Sequence, residues 1–300
     1  MQPSLDTEAQ TPDRQAAARK STYVSVAVNL FLTLGQVAAG IISGSQGLIA
    51  DGIHSLSDLV ADFVVLLASH HSGKASDREH PYGHQRFETA ASLVLGLLLA
   101  VVGIGMLWSA FGKLRNPGEI APVQILALWV ALSALLVKEG LFRYMLAVAT
   151  RLRSTMLVAN AWHARSDAAS SLVVAIGIGG SLLGYPLLDP IAALIVGLMV
   201  TKMGWKFTWE ALHDLMDRAV AETEMIGIQE TLMATPGVIG IHDLKARKMG
   251  DLILLDIHLE IDGSATVKDG HDIAVEARRR VMESFPVLNV MTHIDPIKLK

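Results

Sequence analysis

"NAWHARSD" at residues 160–167 runs directly into "AASSLVVAIGIGGSLLG" at residues 168–184. The second stretch suits hydrocarbon, and the first places a histidine and an aspartate at its mouth. On a helix, His163 and Asp167 are stacked neighbours, because residues at i and i+4 share a face. Ionisable groups at membrane depth are costly, turn toward protein or water, and mark function by default. Such a pair needs partners before it becomes a site.

The rest of the chain has the character that stretch suggests. Its 300 residues are 51% hydrophobic and only 18% charged, with a mean hydropathy of +0.42. That balance points to a multi-span membrane protein. A net charge of −4 and a pI near 6.2 give no reason to expect nucleic acid, whose binders carry basic patches. There is no cysteine, so disulfides, thiolate metal sites and cysteine catalysis are excluded. Any metal must be held by His, Asp or Glu. Residues 1–20, "MQPSLDTEAQTPDRQAAARK", are polar and acid-bearing, and read as a cytosolic tail rather than a cleavable signal.

A spanning helix needs roughly 20 mostly apolar residues. Six stretches qualify, at about 22–43, 47–70, 88–112, 122–147, 155–183 and 187–209, within a transport domain over 21–209. Asp189 and Pro190 read as the N-cap and first-turn proline of the sixth. Arg14, Arg19, Lys20, Lys74, Arg78, Arg86, Arg151 and Arg153 fall on one side, against Lys113 and Arg115 on the other. Basic loops stay inside, so both termini are expected in the cytoplasm. From 210 the pattern changes to helix, two branched-rich strands joined by a Gly250-Asp251 turn, a helix opening at Thr266, and a strand ended by Pro296. The order αββαβ predicts a small α+β domain over 210–300, with both helices on one face of a sheet.

Span two supplies the partners. "LIADGIHSLSDLVADF" repeats the spacing with His54 and Asp58. Two such helices facing each other would bring two imidazoles and two carboxylates to one point, a set suited to Zn²⁺ and similar ions. The two carboxylates would neutralise a divalent charge. Interhelical hydrogen bonding is the competing reading, and the repetition of the spacing weighs against it. Asp51, with Asp62 and Asn160, reads as lining the ion's route or supporting the ligands. In "LLVKEGLFR" of span four, Glu139 and Arg143 suit an i, i+4 ion pair with Lys138 reaching toward the interface; gating or proton relay is the other reading.

The loop "DREHPYGHQRFE" offers Asp77, His80 and His84, although Pro81 and Gly83 preclude a shared helix face. Taken alone, such a loop is a weak signal. The tail holds His242, His258, His271 and His293, with Asp295 two beyond the last. His293 and Asp295, like His258 and Glu260, share a strand face. That density favours surface metal binding over core packing.

These residues resemble the cation diffusion facilitator family, the divalent-metal/proton antiporters, over roughly residues 20–296. Six transmembrane helices followed by a cytosolic, ferredoxin-like and metallochaperone-like domain match the family's plan. The resemblance implies a transport site at His54, Asp58, His163 and Asp167, and a loop site at Asp77, His80 and His84. It also implies a site between two tails of a homodimer, using His242, His258, His271, His293 and Asp295. Arg86, where relatives have Lys, and Asp217 in "LMDR" would form an interdomain or dimer salt bridge. Many bacterial relatives carry Asp where His54 stands, so this chain looks more like zinc-preferring members. The short "TRLRS" loop between spans four and five implies a bacterial inner membrane.

The expected activity is therefore Zn²⁺ export driven by inward proton flow, with Cd²⁺, Co²⁺, Ni²⁺ or Fe²⁺ as further candidates and no organic cofactor. A metal-gated channel would use the same ligands. A membrane-anchored sensor would not need His54 and Asp58. No nucleophile elbow or zinc-protease motif supports an enzyme.

Overall fold

The computed structural model describes residues 12–72, 74, 76–151, 155–250 and 252–298. The stretch before residue 12, Arg153 and Asp251 of the expected turn lie outside the described residues, as do the side chains of Arg14, Arg19, Asp62 and Asn160. Six long helices come first: α1 (Pro12–Ser43), α2 (Gln46–Ser72), α3 (Arg86–Arg115), α4 (Ile125–Arg151), α5 (Thr155–Leu182) and α6 (Leu188–Leu215). They coincide with the six expected spans, beginning or ending up to three residues inside three of them, and overrun several, because helical hydrogen bonding continues past the point where the side chains turn polar.

Tyr23–Ser43 of α1, with α3, α4 and α6, is long and apolar enough to cross a membrane. Among the described residues, α2 and α5, which carry the His-x-x-x-Asp pairs, do not reach that mark. Several of their polar residues are turned inward: Asp51, His54, Ser55, Ser57, Ser170 and Ser171 are all buried. Phe31, Val101, Trp108, Trp129 and Leu136 are instead exposed, as a lipid-facing surface requires.

The chain forms two compact bodies. The first comprises the described residues up to Phe63 together with Gly96–Trp205. Here α4 packs along α5, and α1 against α4. Glycines set the α3–α6 approach: a Cβ on Gly103 would strike the Thr201 backbone, and one on Gly204 the backbone of Ala100 and Gly96. Small residues let helix backbones close up where no hydrophobic effect drives association.

Asp189 departs from its expected role. Rather than capping its own helix, its buried carboxylate accepts from Ser45 Oγ at 2.6 Å and from the backbone N–H groups of Gln46 at 2.7 Å and Gly47 at 3.2 Å. It caps α2, whose first turn presents unsatisfied donors and positive dipole. This fixes the start of the helix that carries His54.

The second body comprises Val64–Leu95 and the described residues from Lys206 onward. Its α+β part consists of α7 (Glu222–Met233), β1 (Gly240–Met249), β2 (Leu252–Asp262), α8 (Val267–Ser284) and β3 (Val287–Ile297). The expected αββαβ order holds. The sheet runs β1-β2-β3, antiparallel then parallel. Leu255, Ile257 and Leu259 of β2 alternate inward onto Ile228 and Leu232 of α7 and Ala274, Ala277 and Val281 of α8. The intervening residues, His258 among them, face away from α7 and α8. Thr266 opens α8 with a reciprocal capping box to Asp269.

Candidate metal centres

In the helical body, His54 and Asp58 from α2 and Asp167 from α5 present ligand atoms that all lie within 4.8 Å of one another. Each pair sits on one helix face by its spacing, and the two faces meet. His54 is 6% exposed. Its Nδ1 lies 3.6 Å from Asp58 Oδ2 and has no hydrogen-bond partner among the described residues. A buried ring nitrogen left without a partner beside two carboxylates suits a cation between them. His163, expected as the fourth ligand, is exposed one turn before Asp167 and lies outside this cluster. Arg165 stands between the two in sequence, but its guanidinium lies over Phe142 and Trp162 at 4.9 and 5.1 Å. The aromatic faces hold that positive charge.

Beside this cluster is a network that the sequence reading placed differently. Lys138 does not reach toward the interface. It is 3% exposed, and its Nζ lies 3.5 Å from both carboxylate oxygens of Asp51, itself 1% exposed. Glu139 and Arg143 do form the expected pair, at 2.8 Å. Asp51 thus holds an ammonium as well as bordering the ligands. The signal for this was one turn of spacing from Asp51 to His54; which way Lys138 turns depends on the neighbouring helices.

The loop centre is built by a turn. Gly83 has φ +87° and its N–H donates to His80 C=O at 2.9 Å, which folds His84 back beside His80. Their ring centroids are 4.5 Å apart. Asp77 lies 3.7 Å from His80 Nδ1 and 3.3 Å from His84 Nε2. The backbone N–H of His80, then that of Glu79, hydrogen-bonds the Asp77 carboxylate and holds it below its usual range. Three ligand-capable residues without a helix therefore still converge. Arg86 pairs with Asp217, which also accepts from Arg247 Nη1 at 3.2 Å. Asp217 adopts φ +58° at the end of α6.

In the α+β part the register produces a row. His242 pairs with His258, and His258 with His293, so three imidazoles cross three strands on the face turned away from α7 and α8. Ring centroids are 4.9 and 4.6 Å apart. Asp295 lies 2.8 Å from His258 Nδ1, 3.0 Å from His242 Nε2 and 3.5 Å from His293 Nε2. The His258 hydrogen bond, then the neighbouring His293, His258 and His242, hold Asp295 below its ordinary value. His242, His258 and Asp295 form the tightest set. His271 is not brought to it: this exposed residue lies in the first turns of α8, the helix on the opposite face. Glu260, 4.0 Å from His242 Nε2, joins the rim instead.

The family model for the cation efflux transmembrane domain matches residues 22–216, and that for the cation efflux protein cytoplasmic domain matches residues 220–297. The metal tolerance protein C1 of Arabidopsis thaliana is 34% identical over 292 residues, which cover 92% of this chain and 62% of that one. The chain thus spans less than two thirds of that relative's length. The manganese efflux system protein MneS of Bacillus subtilis is 30% identical over 288 residues, covering 96% of this chain and 99% of that one. A solved MamM CTD in a nickel form is 23% identical and covers 26% of this chain and 100% of that one, with a TM-score of 0.26. The two family matches meet near the end of α6, where the bundle gives way to the α+β part, and between them they take in every metal-ligand cluster described above. The chain belongs to the cation diffusion facilitator family, transporters of divalent metal cations rather than enzymes.

Proposed function

We propose that this chain exports Zn²⁺ by proton antiport through His54, Asp58, His163 and Asp167, as a homodimer with both termini in the cytoplasm of a bacterial inner membrane. The observation that carries the reading is the convergence of His54, Asp58 and Asp167 from two helices. Two carboxylates match a divalent charge, and an imidazole favours borderline ions such as zinc over harder ones. His163 completes the set by a side-chain rotation on the helix that already holds Asp167. Imidazole must be neutral to ligate, so protons arriving from an acidic exterior compete with metal for the same atoms.

Residues 21–209 form the transport domain in this reading, and residues 210–300 a regulatory one. The histidine row with Asp295 takes cytosolic metal and ties two tails together, and the Asp77, His80 and His84 loop is a second cytosolic site. The Arg86–Asp217 pair fastens the loop side to the tail. MneS is named for manganese efflux, so the ion must be tested directly. Purified protein in liposomes, given Zn²⁺, Cd²⁺, Co²⁺, Ni²⁺, Fe²⁺ and Mn²⁺ with and without an imposed pH gradient, decides it. Zinc flux that collapses with the gradient is expected. Flux indifferent to the gradient would mean a channel, and preferred manganese flux would reassign the ion.

A further inference from the structure

We propose that Lys138 is a fixed internal cation that cancels the charge of Asp51, so that the Asp51–Lys138 pair sets how tightly the neighbouring site holds a divalent ion. The inference rests on reading His54, Asp58 and Asp167 as the transport site.

The network spans four helices. Lys138 Nζ on α4 donates to Ser171 Oγ of α5 at 2.7 Å, Ser55 Oγ of α2 at 3.0 Å and the Asp51 carboxylate at 3.5 Å. An ammonium has three N–H groups, and here three acceptors meet them. Asp51 is surrounded by donors: Ser171 Oγ at 2.6 Å, Ser170 Oγ at 3.0 Å, the Gln36 amide of α1, and Lys138. That donor set suits a carboxylate, as the acceptor set suits a cation.

The network also abuts the site on both helices that build it. Asp51 is one turn before His54, and Ser55 follows His54 directly. The single Ser170 hydroxyl proton lies between two acceptors, the Asp51 carboxylate at 3.0 Å and the Asp167 carbonyl at 2.8 Å. Ion pairs this deeply buried are weak sources of stability, because desolvation offsets their attraction. A pair placed here acts on the charge of the site. With neutral imidazoles, Asp58 and Asp167 supply two negative charges. Asp51 would make three, and Lys138 returns the sum to two. In a medium of low dielectric, one uncancelled charge within a turn or two of the ion changes its binding strongly.

Full-length protein in detergent and in liposomes tests this, with Zn²⁺ and Mn²⁺ as probes. Lys138→Met removes the charge and keeps much of the stem. It should tighten binding of both ions by at least about tenfold and lower KM and turnover together, because release slows. Asp51→Asn leaves the ammonium uncancelled and should weaken binding by a similar factor. The double variant should return to within a few-fold of wild type, and Lys138→Arg should stay near it. A merely structural pair would behave otherwise: every neutral variant would be less stable and bind metal less tightly, and the double would not recover. Unchanged or weaker binding in Lys138→Met overturns the proposal; should that variant not fold, unchanged binding in Asp51→Asn does so. Asp58→Ala is the control. If it keeps full binding, the site assignment has failed; if it abolishes binding while the Lys138 series stays flat, only the charge balance has failed.

Discussion

Removing a carboxylate from a buried cation site leaves a divalent charge half compensated in a medium that cannot hydrate it. Asp58→Ala and Asp167→Ala should therefore each reduce metal uptake to background. Both should still elute as folded protein, since neither residue is among the buried apolar core. Near-normal flux in either, measured in liposomes, would remove that residue from the site. A second contrast belongs at this scale. His258→Ala should lose metal binding in the α+β part, because His258 touches Asp295 and adjoins both His242 and His293. His271→Ala should not, because His271 lies on the opposite side of the sheet. Calorimetry on the full chain, with Asp58→Ala as background, separates them; equal losses would mean that α8 contributes a ligand. The spacing of His54, Asp58, His163 and Asp167 was readable because helix geometry alone puts i and i+4 together. The Lys138–Asp51 pair was not, since its burial depends on which faces of four helices meet.

At the scale of elements, the sequence gives periods but seldom partners. The strands were legible from alternation, yet the histidine row required the register His242–His258–His293, which no period supplies. Asp189 looked like a cap for its own helix, and its carboxylate reached the next helix start in space instead. The α3–α6 contact makes a direct prediction. Gly204→Leu would drive a branched side chain into the backbone of Ala100 and Gly96, so the helices must separate. A lower unfolding temperature and loss of flux are expected, while Gly105→Leu, with open space around its position, should be tolerated. Equal stability of the two variants would contradict the close approach. On α8, hydrogen bonds from Arg279 and then Arg280 lower Glu276 from 4.5 to about 2. A depressed carboxylate stabilises the fold above its unfolded value and loses that contribution as pH falls through its folded one. The advantage of wild type over Glu276→Gln should thus be full near neutrality and fade between pH 4.5 and about 2. Thermal unfolding of the pair across that window checks the sign.

For the whole molecule, the consequence to test is a division of labour, and the cores indicate how. Val220, Ile228, Leu232, Leu255, Ile257, Leu259, Ala277 and Val290 form one buried cluster, drawn entirely from the chain beyond Asp217. Leu48, Ala127, Val174, Ile178 and Val196 belong to another, drawn from the long helices and Val123 just before α4. Neither cluster contains a residue of the other, so ending the chain after Arg218 removes one core and leaves the other complete. It also leaves His54, Asp58, His163 and Asp167 in place and the Arg86–Asp217 pair intact, while removing Arg247 from Asp217. The truncated protein should insert, fold and bind one set of ions at the transport site with near-normal affinity. What it should lose is metal binding by the histidine row, and with it the zinc-dependent tightening of a dimer that the proposal expects of the full chain. Transport should slow several-fold or lose its dependence on cytosolic metal, because ligands that bridge two copies favour one arrangement over another only while they are present. Sedimentation with and without Zn²⁺, calorimetry and liposome flux read these three outcomes separately. A truncated chain that is folded and inserted yet binds no metal would show that the tail builds the transport site as well as regulating it. A truncated chain that matches the full one in flux, dimerisation and zinc response would show that the row of histidines has no part in either.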